Sequence, residues 1–147
     1  MPKRSISVSA TVPVSAERIF DLLADPSKHP LIDGSGSVRA PRSDAPARLA
    51  LGSSFGMDMK LGLAYRIENT VVEFEENRLI AWRHFNGHRW RWQLTPLDGG
   101  ITEVTETFDW STARMPLLLD LSRFPRRNKV AMERSLERLA GLFGAAA

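Results

Sequence analysis

Leu79-Ile80-Ala81-Trp82-Arg83-His84-Phe85-Asn86-Gly87-His88-Arg89-Trp90-Arg91-Trp92-Gln93-Leu94 carries the reading that decides the fold. Asn-Gly between two runs of aromatic and branched residues is a strong hairpin signal, because both residues tolerate positive φ in a tight turn. Strands are therefore expected over Leu79 to Phe85 and His88 to Leu97. The loop length sets which side chains share a face. A three-residue loop with a bulge puts Ile80, Trp82, His84, Trp90, Trp92 and Leu94 together as an aromatic wall. A plain two-residue loop joins Trp82 to His84 and Arg91, and turns Arg83, Phe85, His88, Trp90 and Trp92 the other way. The first arrangement is preferred because it separates polar from apolar side chains.

Outward from this hairpin the chain keeps a period of two. Asp98-Gly99-Gly100 is a second hairpin signal, leading into Ile101 to Trp110. On the N-terminal side, Tyr65 to Glu75 is long and β-branched, and Ser54 to Lys60 places Phe55, Met57 and Met59 on one face. Asp33-Gly34-Ser35-Gly36-Ser37 reads as a turn, with a short strand around Val38 and a Pro-containing connection from Pro41 to Gly52. At the start of the chain, Ile6, Val8, Ala10 and Val12 alternate with Ser5, Ser7, Ser9 and Thr11, a strand with one wet face. Ser15 can cap a helix, with Val14 and Ile19 at the two positions of a hydrophobic staple. Glu17 suits its first turn, and Asp25-Pro26 ends it. A short turn is expected from Ser27 to Ile32. Only the C-terminal part changes period: Met132, Leu136, Leu139 and Phe143 draw one stripe down a helix with Pro125 in its first turn. Met115 to Leu121 is a separate apolar segment before it, and Ala145 to Ala147 a frayed end.

The 147 residues fit one domain, 1–147, and 43% hydrophobic residues suffice for a core without metal or disulfides. There is no cysteine, which excludes thiol chemistry and thiolate zinc sites and suits a reducing cytoplasm, the expected location. The basic N-terminus lacks the apolar block of a signal peptide, and no stretch approaches the roughly 20 apolar residues of a spanning helix. A net charge of +3 is a weak footprint for nucleic acid.

One strand, a helix, a run of hairpin-connected strands and a final amphipathic helix imply an α+β arrangement in which that helix covers a single sheet. A twisted sheet curled round one helix cannot close on it completely, and the gap is a natural pocket. At this point the residues carry a resemblance. Val12-Pro13-Val14-Ser15-Ala16-Glu17-Arg18-Ile19-Phe20-Asp21-Leu22-Leu23-Ala24-Asp25-Pro26 resembles the first strand and helix of the polyketide cyclase/dehydrase-like group of the SRPBCC (START-like) superfamily. Trp92-Gln93-Leu94-Thr95-Pro96-Leu97-Asp98-Gly99-Gly100-Ile101-Thr102-Glu103-Val104-Thr105 is similar to its late hairpin. The resemblance implies a helix-grip fold: a curved antiparallel sheet of seven strands, two short helices after the first strand, and a long C-terminal helix across the sheet. Many members carry a tryptophan soon after those helices, where this chain has His29-Pro30-Leu31-Ile32-Asp33-Gly34-Ser35-Gly36. The superfamily shares no universal catalytic motif, so no catalytic residue is transferred.

The candidate ligand-binding residues are Phe55, Met57, Met59, Tyr65, Arg83, His84, Trp90, Trp92, Glu106, Phe108 and Trp110. Aromatics at strand spacing and pliable methionines make an apolar wall, and serve equally as core. Glu106 alternates with Val104, Phe108 and Trp110, which puts a carboxylate on an apolar inward face. Such an acid must be paired or carry a raised pKa, with Arg83, His84 and Tyr65 as partners, unless a bulge turns it to solvent. Glu106 and His84 are the candidate catalytic groups. His84 and His88 on a hairpin lack the convergence a metal site needs, so neither metal nor cofactor is expected, and His29 reads as a loop residue. Arg123, Arg126, Arg127 and Lys129 could face an anionic ligand or membrane surface, or form a solvated face partly paired with Glu133 and Glu137.

The leading expectation is a module that binds a small hydrophobic or aromatic molecule, lipid-like or polyketide-like, between sheet and final helix. A cyclase/aromatase or dehydratase acting by general acid/base catalysis in the same cavity is the alternative. A protein-interaction module using Met115 to Arg127 is a third. The expected partner is thus a small hydrophobic molecule, with no nucleic acid and no stable membrane insertion, and a homodimer left open.

Overall fold

The computed structural model describes residues 4–32, 38–41, 47–61, 63–84, 87–121 and 124–143. At 38–41, 57–61, 63–67, 119 and 124 the backbone alone is described. The expected turn over residues 33–37, the Asn86 of the hairpin loop and the C-terminal end at 145–147 lie outside the described residues.

Seven strands form one antiparallel sheet: β1 (Ser5–Val12), β2 (Val38–Pro41), β3 (Ser54–Leu61), β4 (Leu63–Glu75), β5 (Leu79–Arg83), β6 (Arg89–Leu97) and β7 (Ile101–Asp109). Their order is β1-β7-β6-β5-β4-β3-β2, so the first strand pairs with the last and the connection after β1 crosses to the far edge. That crossing carries α1 (Ala16–Leu23), a single 3₁₀ turn at Pro26–Lys28 and α2 (His29–Ile32). Ser15 caps α1 as expected, its hydroxyl accepting from the Arg18 amide. Asp25 then starts the 3₁₀ turn by accepting from the Ser27 amide at 3.0 Å.

α3 (Pro116–Leu121) and α4 (Phe124–Leu142) follow the sheet. At 1.5 Å per residue, α4 is about 28 Å long, and it lies against β1 and β7. The expected stripe is the face it buries: Met132, Leu136 and Leu139 are enclosed and Phe143 is half-buried. Pro125 stands in its first turn, where a missing amide hydrogen costs nothing. Across the interior, Ile19, Phe20 and Leu23 of α1 pack on Ile80, Trp92, Leu94 and Val104 of the sheet.

Two local features set which side chains reach that interior. β7 runs in unbroken register with both neighbours, so its inward set Thr102, Val104, Glu106, Phe108 is fixed along its whole length. Its outward hydroxyls pair with β1, Thr105 with Ser9 and Thr107 with Ser7, each at 2.8 Å. β4, by contrast, bulges at Val72, where Val71 faces Trp82 and Glu73 already faces Ala81. The bulge switches the alternation: Val71 and then Phe74 reach the core, with Phe74 edge-on to Phe20 at 5.4 Å. Glu73 is left on the outer face, where both carboxylate oxygens accept from Arg91 at 2.8 Å and one also accepts from Arg89 at 2.8 Å. The Arg91 bond holds the Glu73 carboxyl below its ordinary pKa.

Candidate functional site

The β5–β6 hairpin closes with three loop residues. The Gly87 amide donates to the His84 carbonyl at 2.9 Å, the His84 amide donates to the His88 carbonyl at 3.1 Å, and Gly87 has φ of +92°. This is the bulged arrangement, and it puts Trp82 opposite Trp90 and Ile80 opposite Trp92 on the inner face. Arg83, one residue past Trp82 and opposite Arg89, is exposed. It therefore does not join the candidate site, nor can it partner Glu106: a side chain one residue from Trp82 must point to the opposite face.

The wall extends across the sheet as ring contacts. Trp90 lies 4.8 Å from Phe108 across the β6–β7 register, and Phe108 stacks on Trp110 at 5.4 Å. Toward the other edge, Trp82 meets Phe55 of β3 edge-on at 5.6 Å. Trp92 is packed more deeply, within the core under α1. Met57 and Met59 lie in β3, in register with Ile67 and Tyr65 of β4; the side chains of all four lie outside the described residues.

His29 is not a loop residue. It opens α2, is only 7% exposed, stacks on Trp82 at 4.9 Å and stands edge-on to Phe55 at 5.5 Å. Its Nε2 is 2.8 Å from the Leu23 carbonyl; a carbonyl only accepts, so this nitrogen carries the proton. One signal in the sequence points to this placement: His29 and Ile32 are three apart, hence on one face of a helical turn, and Ile32 is a core residue.

The interior holds two apolar clusters. One gathers α1, Leu49, Phe55, Val71, Ile80, Trp92, Leu94, Val104, Leu136 and Leu139. The other consists of Phe108, Trp110, Ala113 and Met132, with Ile6, Val8 and Trp90 against it. Glu106 sits on β7 between Val104 of the first and Phe108 of the second, 5% exposed, flanked in register by Val8 and Trp92. No bulge turns it outward. Other polar atoms share this interior. His88 Nδ1, Asn69 Oδ1 and Asn128 Nδ2 are buried and find no hydrogen-bond partner among the described residues. Asn69 is opposite Phe55, and Asn128 is one helical turn before Met132.

His84 and His88 form a ring pair at 4.5 Å beside Trp90 and Phe108. Burial pushes the His84 imidazole down to about 3, with the neighbouring His88 adding to the effect, and burial pushes His88 down to about 4. Both rings are therefore neutral at pH 7, each with one ring nitrogen able to accept a hydrogen bond. Their folded values lie below the ordinary 6.5, so the unfolded chain binds protons that the folded chain refuses. Their share of stability is complete above about 6.5 and drains away as the pH falls through the folded values, about 4 for His88 and about 3 for His84. Thermal unfolding temperature is expected to fall by several degrees from about pH 7 to about pH 5, where carboxylates stay ionised. Glutamine at both positions should flatten that dependence; an unchanged slope would mean that the pair is not buried in its neutral form.

An open depression of about 360 Å³ lies at the opposite end of the sheet, bordered by Ser15, Glu17, Asn77, Arg78, Leu97 and Ile101. It is shared by turn and helix-start residues and touches none of the aromatic wall, so it is not the site.

Three comparisons place this architecture. Over 92% of its length the chain is 39% identical to an uncharacterized protein of Mycobacterium tuberculosis, Rv0088, of which it spans 62%, less than two thirds of that relative. A START superfamily protein from Mycobacterium smegmatis superposes with a TM-score of 0.71 over 97% of this chain and 99% of the other at 16% identity. An AHSA1-like protein from Aeromonas hydrophila gives 0.67 over 94% and 93% at 19% identity. Both likenesses concern the fold, the helix-grip arrangement of sheet and C-terminal helix. The sequence profile described as polyketide cyclase / dehydrase and lipid transport matches residues 3–144, and the chain belongs to that family, within the SRPBCC superfamily.

Proposed function

We propose that the chain binds a small hydrophobic or aromatic ligand, lipid-like or polyketide-like, between the sheet and α4, against the wall of Phe55, Trp82, Trp90, Phe108 and Trp110. The family, whose description includes lipid transport, supports an apolar ligand. The observation that carries the reading is the set of buried atoms His88 Nδ1, Asn69 Oδ1 and Asn128 Nδ2, without partners among the described residues, in an interior whose two apolar clusters share Val8 at their margin. Leaving such an atom unsatisfied costs about 1–3 kcal/mol, a penalty that polar groups of a ligand would remove. Affinity then comes from the aromatic rings and orientation from the polar atoms.

Native mass spectrometry of protein purified from its own host, compared with a denatured sample, is the direct test. A small apolar compound released on denaturation is the expected result. Trp90→Ala should weaken its rebinding about tenfold, the worth of one aromatic contact. A clean apo mass that persists after incubation with fatty acids and polycyclic aromatics would sink the reading.

A second reading is favoured by one pairing: neutral imidazoles at His84 and His88 and a buried carboxylate at Glu106 in the same interior. These are the elements of general acid/base catalysis, suited to enolisation and loss of water from a polyketide-like chain. If the site is catalytic, Glu106→Gln abolishes turnover while ligand affinity stays within about twofold. Equal loss of both would leave only the binding role.

A further inference from the structure

α3 is a short helix with its apolar side outward. Leu117, Leu118 and Leu121, at spacings that put them on one face, are 64%, 59% and 83% exposed, and Met115 just before them is 57% exposed. This arrangement is held in place rather than frayed. Asp120, on the other side of the helix, accepts from Arg4 Nη2 at 2.8 Å and from Trp110 Nε1 at 2.7 Å. Turning the leucines inward would break that link to β1 and to the aromatic wall. α3 packs beside α4, whose first turns expose Arg126, Arg127 and Lys129 around an exposed Val130. From residue 113 to 132, Asp120 is the only acid, and it is turned away.

We propose that the exposed face of α3, with the first turns of α4, is a docking surface for an anionic lipid bilayer. Exposed leucines and a methionine next to exposed arginines and a lysine are the composition of an interfacial segment, which sinks its apolar side chains among the acyl chains and sets its cations among the phosphates. Charge decides against a second copy of the chain: across a two-fold axis this surface would set cations against cations. It also decides the lipid, which must carry net negative charge. A protein partner is the weaker fit, because leucine contributes little at protein interfaces, where tryptophan, tyrosine and arginine dominate. Among the described residues no helix is long and apolar enough to cross a membrane, so the contact is peripheral. This proposal does not depend on what the interior binds.

The test is co-sedimentation with phosphatidylcholine vesicles with and without about a third phosphatidylglycerol. The wild-type chain should bind the anionic vesicles, release with added salt, and bind neutral vesicles far less. Each cation near an anionic surface strengthens partitioning about fivefold, so Arg126→Gln, Arg127→Gln and Lys129→Gln together should lower it about a hundredfold. Leu118→Glu with Leu121→Glu should abolish it, and circular dichroism of both variants should match the wild type because every altered side chain is exposed. No preference for anionic vesicles, or wild-type binding by either variant, would overturn the proposal. So would sedimentation showing a dimer that the leucine variant dissociates, because a second copy would then cover the surface.

Discussion

Phe108→Ala is expected to destabilise the chain by about 3–5 kcal/mol, the cost of truncating a fully enclosed aromatic in a core that cannot collapse around the void. Phe108 is completely buried on β7, between Ile6 of β1 and Trp90 of β6 in register. Its ring contacts Trp90 at 4.8 Å, Trp110 at 5.4 Å and His88 at 5.4 Å, and Met132 of α4 belongs to the same cluster. Strands held by ladders on both sides cannot shift to fill the space. A domain of this size has roughly 5–15 kcal/mol in total, so the variant should stand near its unfolding limit. Urea denaturation followed by tryptophan fluorescence reads the loss as a drop in midpoint at unchanged slope. Phe108→Leu keeps most of the volume and should cost less than about 1.5 kcal/mol. An alanine variant that loses under about 1 kcal/mol would mean that the second cluster is not a packed core.

The architecture was legible wherever one physical rule acted alone. A period of two fixed β1 and β7, Ser15 with Val14 and Ile19 fixed the start of α1, and the spacing of Met132, Leu136 and Leu139 fixed the buried face of α4. For Glu106 the alternation was sufficient because β7 has no irregularity against either neighbour. Legibility failed where tertiary packing overrode the local pattern. Strict alternation along β4 would have sent Glu73 inward after Val71; the bulge at Val72 sends Phe74 instead, and no residue type there announces it. His29 looked polar and loop-like because its burial depends on two distant rings, Phe55 and Trp82, besides the nearby Leu23 carbonyl. Arg83 stayed a candidate because a two-residue loop would have set it with Trp90 and Trp92, and the three-residue loop turns it to the exposed face. The site was therefore readable as a wall of aromatics, and less so as a set of polar groups. Aromatic residues declare themselves by type and spacing, whereas a buried polar atom is defined by neighbours that the sequence does not bring close.

The placement of that wall depends on one backbone position, and Gly87→Ala is the substitution that tests it. Gly87 has φ of +92°, a conformation that L side chains rarely adopt. A Cβ there would lie 2.6 Å from the Thr112 carbonyl oxygen, too close for any real contact. The approach is not accidental: the Thr112 hydroxyl donates to the Gly87 carbonyl at 2.6 Å, clamping the hairpin tip to the segment between β7 and α3. Alanine must therefore bear the strained φ and also force the clamp apart, for an expected loss of about 2–4 kcal/mol. Gly99→Ala is the control. It shares a positive φ of +81° but has open space around the new Cβ, so only the backbone strain remains, about 1 kcal/mol. The difference between the two variants isolates the clamp. It should also appear in function, because Gly87 ends the loop that sets Trp82 opposite Trp90 and brings His84 against His88. If the interior binds an apolar ligand against that wall, Gly87→Ala weakens binding under conditions where the variant is still folded, and Gly99→Ala leaves it unchanged. Equal losses of stability in the two variants would show that the hairpin tip moves freely, and that the register of the wall is held by packing along β6 and β7 alone.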